Sequence, residues 1–281
     1  MLDDTKYSTV IKNAPLPLCI PPLPLWFKKI EFHLAVYSSA KPTIMQAIVY
    51  EFIGTALIIL LGNGVVANTS LQKTYAGGAG WIVITFGWAM AVFTGVYVSA
   101  AESGAHLNPA VTLAMAFLGK FAWSKVGGYL LAQIAGAFTG SLLVWLTYKK
   151  QYDASTDAGA IKATFCTGPA VRSFGWNMLT EMIGTFALVF GVLHMASPAS
   201  SLGALDALPV ALLVLGIGLS LGGATGYAIN PARDLGPRIA HMLLPIQHKG
   251  SSDWGYALVP IVGPVLGSAL AAMAYHLLHM P

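Results

Sequence analysis

Long apolar stretches alternate with short polar ones along most of the chain, and six of the apolar stretches are long enough to cross a membrane. A hydrocarbon core about 30 Å thick requires roughly 20 helical residues. The pattern therefore predicts six transmembrane helices, at about residues 46–67, 81–101, 124–147, 176–196, 207–225 and 255–277.

Two further apolar stretches, Pro109–Phe117 and Pro231–Leu243, are too short to span a bilayer. At about 10 residues each and 1.5 Å per residue, they would reach roughly 15 Å, which is half of the membrane. Each lies between the second and third predicted spans of its half of the chain. We expect two re-entrant half-helices.

The two halves of the chain repeat. Residues 51–55 (Glu-Phe-Ile-Gly-Thr) lie near the start of the first predicted span, and residues 181–185 (Glu-Met-Ile-Gly-Thr) lie near the start of the fourth. Because each half has three spans, an odd number, the second half enters the membrane from the opposite face. Such an inverted repeat has its working site near the bilayer midplane. The predicted fold is an all-α membrane protein with six transmembrane helices and two half-spanning helices.

Small residues recur at four-residue spacing in the third and sixth predicted spans, which favours close helix packing. They are Ala132, Gly136 and Gly140, and Gly263, Gly267 and Ala271.

The first 44 residues have a different pattern. Five prolines within residues 15–24 prevent an apolar helical core, which excludes a secretory signal and predicts an extended tail. Residues 25–37 fit either a helix on the membrane surface or a solvated linker. We expect a membrane domain at 45–281, with repeat halves at about 45–150 and 176–281.

Composition agrees with a membrane protein and excludes several other classes. Only 9% of the residues are charged and 56% are hydrophobic, against roughly 25% charged in soluble domains. The net charge of +4 is scattered, without the basic stripe that nucleic-acid binding needs. Cys19 and Cys166 form no metal-ligand spacing, and no nucleophile–base pair is evident. We expect no metal, no cofactor and no enzyme activity.

Two Asn-Pro-Ala triplets precede the half-helices: Asn108-Pro109-Ala110 and Asn230-Pro231-Ala232. Proline suits the first helical position, and asparagine suits the cap before it, from which its amide group would point into a lumen. Irregular backbone at this depth is tolerated only where protein buries it or water bathes it. The paired turns therefore predict a cavity or pore.

Each half-helix N-terminus carries about half a positive charge. A monovalent cation about 4 Å from both ends, at an effective dielectric near 20, would be opposed by roughly 4 kcal/mol. A pore centred on these turns should exclude cations and admit uncharged solutes.

Residues 103–112 (Ser-Gly-Ala-His-Leu-Asn-Pro-Ala-Val-Thr) and 226–234 (Gly-Tyr-Ala-Ile-Asn-Pro-Ala-Arg-Asp) resemble the two pore loops of the aquaporin family. Arg233 and Asp234 after the second triplet are similar to the glycerol-facilitator branch. The resemblance, which runs from about residue 45 to the C-terminus, implies a passive channel for small uncharged solutes, chiefly glycerol with some water. It also implies exclusion of ions and protons, a homotetramer and no bound cofactor.

The resemblance further implies a selectivity filter of Trp88, Gly218, Tyr227 and Arg233. Tyr227 replaces the phenylalanine of the glycerol facilitators, and a hydroxyl there would narrow or polarise the filter. Solute preference therefore stays open. Backbone carbonyls of Gly104, Ala105, His106, Tyr227, Ala228 and Ile229 would line the rest of the pore.

Three acidic residues are assigned structural roles. Glu51 and Glu181 fit either proton-coupling carboxylates or, as we favour, acceptors that hold the amides of the pore loops, and Asp234 joins them as a structural residue. His194 and His241 are interpreted as membrane-interface residues.

Alternative functions are a channel for lactic acid, urea or metalloid acids, and a coupled secondary transporter. The expected location is the plasma or inner membrane, with both termini cytoplasmic. Five lysines in the N-terminal tail, together with Lys120 and Lys125, favour that orientation. Lys149, Lys150, Lys162 and Arg172 oppose it.

Overall fold

The computed structural model describes residues 42–195 and 203–280, and its helices follow the apolar pattern of the sequence. The predicted tail and the segment 25–37 lie outside these residues. The described ranges contain ten α-helices: α1 (Ile44–Ser70), α2 (Trp81–Ser103), α3 (Pro109–Phe117), α4 (Trp123–Thr147), α5 (Lys149–Ala154), α6 (Ala158–Ala163), α7 (Phe174–His194), α8 (Leu208–Leu221), α9 (Pro231–Leu243) and α10 (Leu258–Leu278).

The predicted all-α membrane fold is confirmed, and five of its helices have the length and composition to cross a membrane: α1, α2, α4, α7 and α10. A capping box fixes the start of α1, because Thr43 accepts from the Gln46 amide while the Gln46 side chain accepts from the Thr43 amide. These two hydrogen bonds set the start of the first span at Ile44.

The fifth span is shorter than predicted. Helix α8 has 14 residues and is preceded by a 3-10 turn, Gly203–Ala207. The prediction of helix through residue 225 was wrong, because the chain turns after Leu221. Gly222 and Gly223 follow there, and consecutive glycines are poor helix formers.

The half-helices α3 and α9 have the bounds that the sequence predicts. Pro109 and Pro231 occupy the first helical positions, and the asparagine before each of them caps its helix. Proline loses no hydrogen bond at this position, and its fixed φ suits a helix start.

The inverted repeat is visible in how the helices pack. Helix α1 packs against α2 and α4, and α7 packs against α10. A Cβ added at Gly136 of α4 would lie 2.3 Å from the Phe52 carbonyl oxygen of α1. At Gly267 of α10 it would lie 2.3 Å from the Met182 carbonyl oxygen of α7. The same backbone contact therefore occurs once in each half.

Large apolar side chains cover much of the outer surface. Ile82, Leu131 and Trp176 are each at least 70% exposed, which is unfavourable in water and normal against lipid. The outer surface is consistent with a multi-pass membrane protein.

The segment between α4 and α7 folds back over the bundle. Phe165 and Cys166 are buried in an apolar cluster with residues of α1, α4 and α9. His241 belongs to this region: it is fully buried, 2.8 Å from the Ser252 hydroxyl, and packs edge-on against Phe165. Its assignment to the membrane interface was wrong, because this segment covers it.

Asp253 ties the returning segment to the loop before α10 by accepting from Arg172, with Lys162 at 3.7 Å. Burial alone would raise the pKa of the Asp253 carboxyl, but the Arg172 hydrogen bond and the nearby positive charges hold that pKa below its ordinary value.

The close crossing of α1 and α4 predicts that Gly136→Ala destabilises the fold, since the added methyl meets a backbone oxygen that cannot rotate away. Overpacking of this kind costs about 1–3 kcal/mol. Gly127→Ala in the same helix is the matched control, because no described atom lies within 4 Å of its added Cβ. Thermal unfolding in detergent should show a lower midpoint for Gly136→Ala alone. Equal midpoints would contradict the packing argument.

Candidate functional site

Two irregular loops, residues 104–107 and 226–229, meet in the interior of the bundle. Each contains three residues in the left-handed region: Gly104 (φ 80°), Ala105 (49°) and Leu107 (51°) in the first, and Gly226 (78°), Tyr227 (36°) and Ile229 (41°) in the second. Positive φ at a residue with a side chain is unfavourable by about 1–3 kcal/mol and persists only where the surroundings enforce it. The hydrogen bonds of the loops hold these residues in that conformation.

Glu51 holds the first loop. Its Oε1 accepts from the His106 amide at 2.9 Å and from the Ser103 hydroxyl at 2.7 Å. Its Oε2 accepts from the Leu107 amide and from Gln133 Nε2, both at 2.7 Å. Four donors therefore surround one fully buried carboxylate.

Glu181 holds the second loop in the equivalent way. Its Oε1 accepts from the Thr225 hydroxyl at 2.6 Å and from the Ala228 amide at 3.0 Å, and its Oε2 accepts from the Ile229 amide at 2.8 Å. Because the loop amides are turned toward the two carboxylates, the loop carbonyls are free to face the other side.

The two Asn-Pro-Ala turns are joined to each other. Asn108 Oδ1 accepts from the Ala110 amide at 2.9 Å, and Asn230 Oδ1 accepts from the Ala232 amide at 3.0 Å. Asn108 Nδ2 donates to the Ile229 carbonyl at 2.8 Å, and Asn230 Nδ2 donates to the Leu107 carbonyl at 2.9 Å. Each half of the chain thus closes the loop of the other.

This arrangement refines the prediction that the asparagine amides point into a lumen. One N–H of each amide is used in the crossed bonds, and an amide group has a second. Asn108 and Asn230 both line a cavity, to which that second donor can turn.

The cavity has a volume of about 210 Å³ and runs between the two loops. The predicted pore residues Gly104, Ala105, His106, Ala228 and Ile229 line it, with Asn108, Asn230, Trp88, Tyr227 and Arg233. Apolar side chains of α1, α2, α7 and α8, such as Ile58 and Val192, line the rest of it. The lining therefore combines polar groups of the loops with apolar side chains of the helices.

A second cavity also reaches Trp88, Tyr227 and Arg233, and the segment that contains Cys166 and Thr167 lines it as well. These three side chains therefore lie between two open spaces. The Arg233 guanidinium carbon is 4.2 Å from the centre of the Trp88 ring, and its Nη1 donates to the Phe165 carbonyl at 3.2 Å. A guanidinium that stacks on an aromatic face and is anchored at one nitrogen has further N–H groups to donate.

Gly218 does not line either of these two cavities, although it is predicted as part of the filter. A Cβ at this position would lie 2.9 Å from Tyr227 Cζ, and one at Gly222 would lie 2.5 Å from Tyr227 Cδ1. The Tyr227 ring therefore fills the space that both glycines leave, and Trp81 packs on it edge-on at 5.8 Å. Because Gly218 has no side chain, it leaves room for this ring.

The Tyr227 hydroxyl differs from expectation. It is buried, and it has no hydrogen-bond partner in the described part of the chain. Because this hydroxyl is buried, the polar contribution that the sequence led us to expect from it is not observed.

Asp234 anchors the segment that precedes α7. Its Oδ2 accepts from both the amide and the hydroxyl of Thr167, and Arg238 donates to both of its oxygens at 2.7 and 2.9 Å. Arg238 also donates to the Ser252 carbonyl at 2.6 Å. This fully buried ion pair fixes the loop whose Phe165 carbonyl orients Arg233.

Sequence reasoning missed several polar partners that hold the site. Gln133 and Ser103 bind Glu51, Thr225 binds Glu181, and Asn63 Nδ2 donates to the same Phe165 carbonyl that Arg233 contacts. Buried polar residues within otherwise apolar spans were the available signal, because such groups require partners in a membrane.

Comparisons with known proteins agree with this geometry. The family model described as Major intrinsic protein matches residues 38–275. The chain is 55% identical to glycerol uptake facilitator protein 3 of Lactiplantibacillus plantarum, over 81% of this chain and 95% of that protein. It is 52% identical to the glycerol uptake facilitator protein of Streptococcus pneumoniae, over 83% and 99%.

Two further comparisons are more distant. The chain is 38% identical to a D/L-lactic acid transporter of Lactiplantibacillus plantarum, over 83% of this chain and 97% of that protein. The X-ray structure of the aquaglyceroporin from Plasmodium falciparum superposes with a TM-score of 0.74 at 31% identity, covering 83% of this chain and 96% of that chain.

The contacts of Glu181 predict that Glu181→Gln destabilises the second loop. A carboxamide has one acceptor oxygen, so its NH2 group would face a donor of the loop, and an unpaired buried donor costs about 1–3 kcal/mol. Thermal unfolding and hydrogen exchange at the Ala228 and Ile229 amides should both show the loss. Glu102→Gln is the control, since no hydrogen bond to the Glu102 carboxylate is found among the described residues. Equal unfolding midpoints and equal exchange in the two variants would refute the role of Glu181 in holding the second loop.

Proposed function

The chain belongs to the major intrinsic protein family, and from that premise we propose that it is a passive channel for glycerol and other small uncharged solutes, with some passage of water. The observation that carries this proposal is that Trp88, Tyr227 and Arg233 line both cavities, with Arg233 stacked on Trp88, which we interpret as a constriction between them. Relatives named as glycerol uptake facilitators, at 47–55% identity, support the same solute class.

The constriction suits a polyol because it is divided into an apolar and a polar part. Trp88 and the Tyr227 ring offer carbon surface to the CH groups of the solute. Arg233, held against Trp88 and by the Phe165 carbonyl, keeps N–H groups available for hydroxyl oxygens. A solute with one apolar edge and one edge of hydroxyls would replace its water contacts on both sides.

Beyond the constriction, the loops would carry the solute by hydrogen bonds. Hydroxyl groups can donate to carbonyls of Gly104, Ala105, His106, Tyr227 and Ala228 and accept from the Asn108 and Asn230 amides. Ile229 contributes less, because its carbonyl already accepts from Asn108. The apolar side chains of the lining offer no competing partner, so the hydroxyls would stay with the loops.

Cations would be rejected at two places. The half-helices α3 and α9 begin at the crossed asparagines, so their positive ends converge at the centre of the cavity. The opposing energy of roughly 4 kcal/mol corresponds to about a thousandfold exclusion before the loss of hydration is counted. Arg233 adds a full positive charge at the constriction.

The buried carboxylates favour a channel over a coupled transporter. Every oxygen of Glu51 and Glu181 accepts at least one hydrogen bond from the protein, and backbone amides of the loops are among the donors, so proton uptake by either carboxyl would cost contacts that hold a loop. We propose that these residues, with Asp234, are structural supports rather than proton carriers.

We further propose that the channel body begins near residue 45, forms a homotetramer and lies in the plasma or inner membrane with both termini in the cytoplasm. The apolar outer surface supports membrane insertion, and the family supports the assembly.

Proteoliposomes can test the proposed function directly. In stopped-flow light scattering, glycerol flux should greatly exceed that of empty vesicles, water flux should rise less, and flux of a charged solute should not change. Urea and undissociated lactic acid complete the series, because one relative is named as a lactic acid transporter. Lactic acid flux without glycerol flux would refute the proposal. Glycerol accumulation above equilibrium under a proton gradient would show a coupled transporter.

The position of Gly218 behind Tyr227 predicts a selective defect. In Gly218→Ala, the new methyl displaces the Tyr227 ring toward the cavity and should lower glycerol flux by roughly tenfold or more, a typical effect of one carbon in a pocket. Water flux should fall less, because water is smaller. Gly216→Ala in the same helix is the control, since no described atom lies within 4 Å of its added Cβ. Equal losses of glycerol and water flux would count against the filter assignment.

A further inference from the structure

A cluster of aromatic and imidazole rings lies where α7 and α10 end, apart from the cavity. His194 is the last residue of α7, and His279 is the C-terminal cap of α10. Their ring centres are 5.4 Å apart, and Tyr275 contacts both rings, at 5.1 Å from His194 and 4.1 Å from His279. The two histidines are exposed.

The hydrogen bonds of the two histidines fix which ring nitrogen is protonated. His194 Nδ1 is 2.8 Å from the Phe190 carbonyl oxygen, and His279 Nδ1 is 2.8 Å from the Tyr275 carbonyl oxygen. A carbonyl oxygen can only accept, so each Nδ1 carries the proton. The neutral rings therefore keep a lone pair on Nε2, and no partner for either Nε2 is found within residues 42–195 and 203–280.

This pattern is the one that metal-binding histidines share, in which the nitrogen away from the metal donates to a carbonyl and orients the ring. The separation also fits: with metal–nitrogen bonds of about 2.0–2.1 Å, a metal between two imidazoles at a tetrahedral angle holds the ring centres roughly 5 Å apart. Two independent features, the free Nε2 on each ring and the spacing of the ring centres, thus agree.

The surrounding charges have opposing effects on a cation bound at this place. The C-termini of α7 and α10 each carry about half a negative charge, which attracts a cation. The Lys120 ammonium opposes it, since it lies 4.4 Å from the Tyr275 ring centre and donates to the Tyr275 hydroxyl. Lys120 is held on Tyr275 rather than on either imidazole.

We propose that His194 and His279 form a two-histidine site for a divalent transition metal of the Zn²⁺ type, with water completing the coordination. Within the described residues, no group of three or more histidine, cysteine or carboxylate side chains converges, so the pair alone supplies the protein ligands. Imidazole nitrogen suits this class of metal, and a bound ion would tie the ends of α7 and α10 together. The site is separate from solute passage and does not depend on the proposed function.

The test uses the full chain in detergent, with any polyhistidine tag removed and metals stripped by a chelator. Zn²⁺ titrated calorimetrically should bind with saturation at one ion per chain and raise the thermal unfolding midpoint, and chelator should reverse both effects. Loss of an outer-shell partner alone costs roughly 10–100-fold in metal affinity, so His194→Gln and His279→Gln should each weaken binding at least about tenfold.

Two histidines serve as controls. His276→Gln removes an exposed histidine of the same helix end, and His248→Asn removes one whose φ of 57° asparagine tolerates. Both should bind Zn²⁺ like the original chain. Full affinity in His194→Gln or His279→Gln would overturn the site, as would loss of binding in His276→Gln alone.

Discussion

The fold depends on the need to satisfy backbone amides at a depth where lipid offers no hydrogen bonds. Two carboxylates satisfy that need. Glu51 and Glu181, one in each half, accept hydrogen bonds from amides of the two re-entrant loops, so that the loop carbonyls not bound by the asparagines are free for the cavity. An unpaired polar group here would cost several kcal/mol, against about 1–3 kcal/mol for one residue in the left-handed region. The irregular backbone is therefore the lower-energy choice once the carboxylates are in place.

The centre and the constriction of the cavity rest on different supports. The centre is built symmetrically, since each half supplies one carboxylate, one loop, one capping asparagine and one half-helix. The constriction is asymmetric: Arg233 and Tyr227 belong to the second half, and Arg233 is oriented by a segment that Asp234 and Arg238 anchor. Under the proposed function, substitutions at Arg233 or Tyr227 would therefore change solute choice without disturbing the turns at the centre.

The sequence predicted the fold closely where a local rule decides it. The bounds of both half-helices followed from proline and asparagine alone. The prediction extended helix α8 too far, because apolar composition does not indicate where a pair of glycines ends a helix. Most residues predicted for the pore line the cavity, although Gly218 does not, and the expected hold of Glu51 and Glu181 on the loop amides is observed. The crossing of the asparagine bonds and the meeting of His194 with His279 depend on residues far apart in sequence, and no local pattern encodes either contact.

The crossed asparagine bonds also have a consequence for how the protein is made. Asn108 and Ile229 are 121 residues apart, and Leu107 and Asn230 are 123 apart. At about 5–20 residues per second, the first turn leaves the ribosome roughly 6–25 seconds before its acceptor exists. During that interval the first half-helix has its own cap and Glu51, but not the bond that closes its loop. The ribosome thus delivers two incomplete halves in succession, and the passage through them exists only once the later half has arrived.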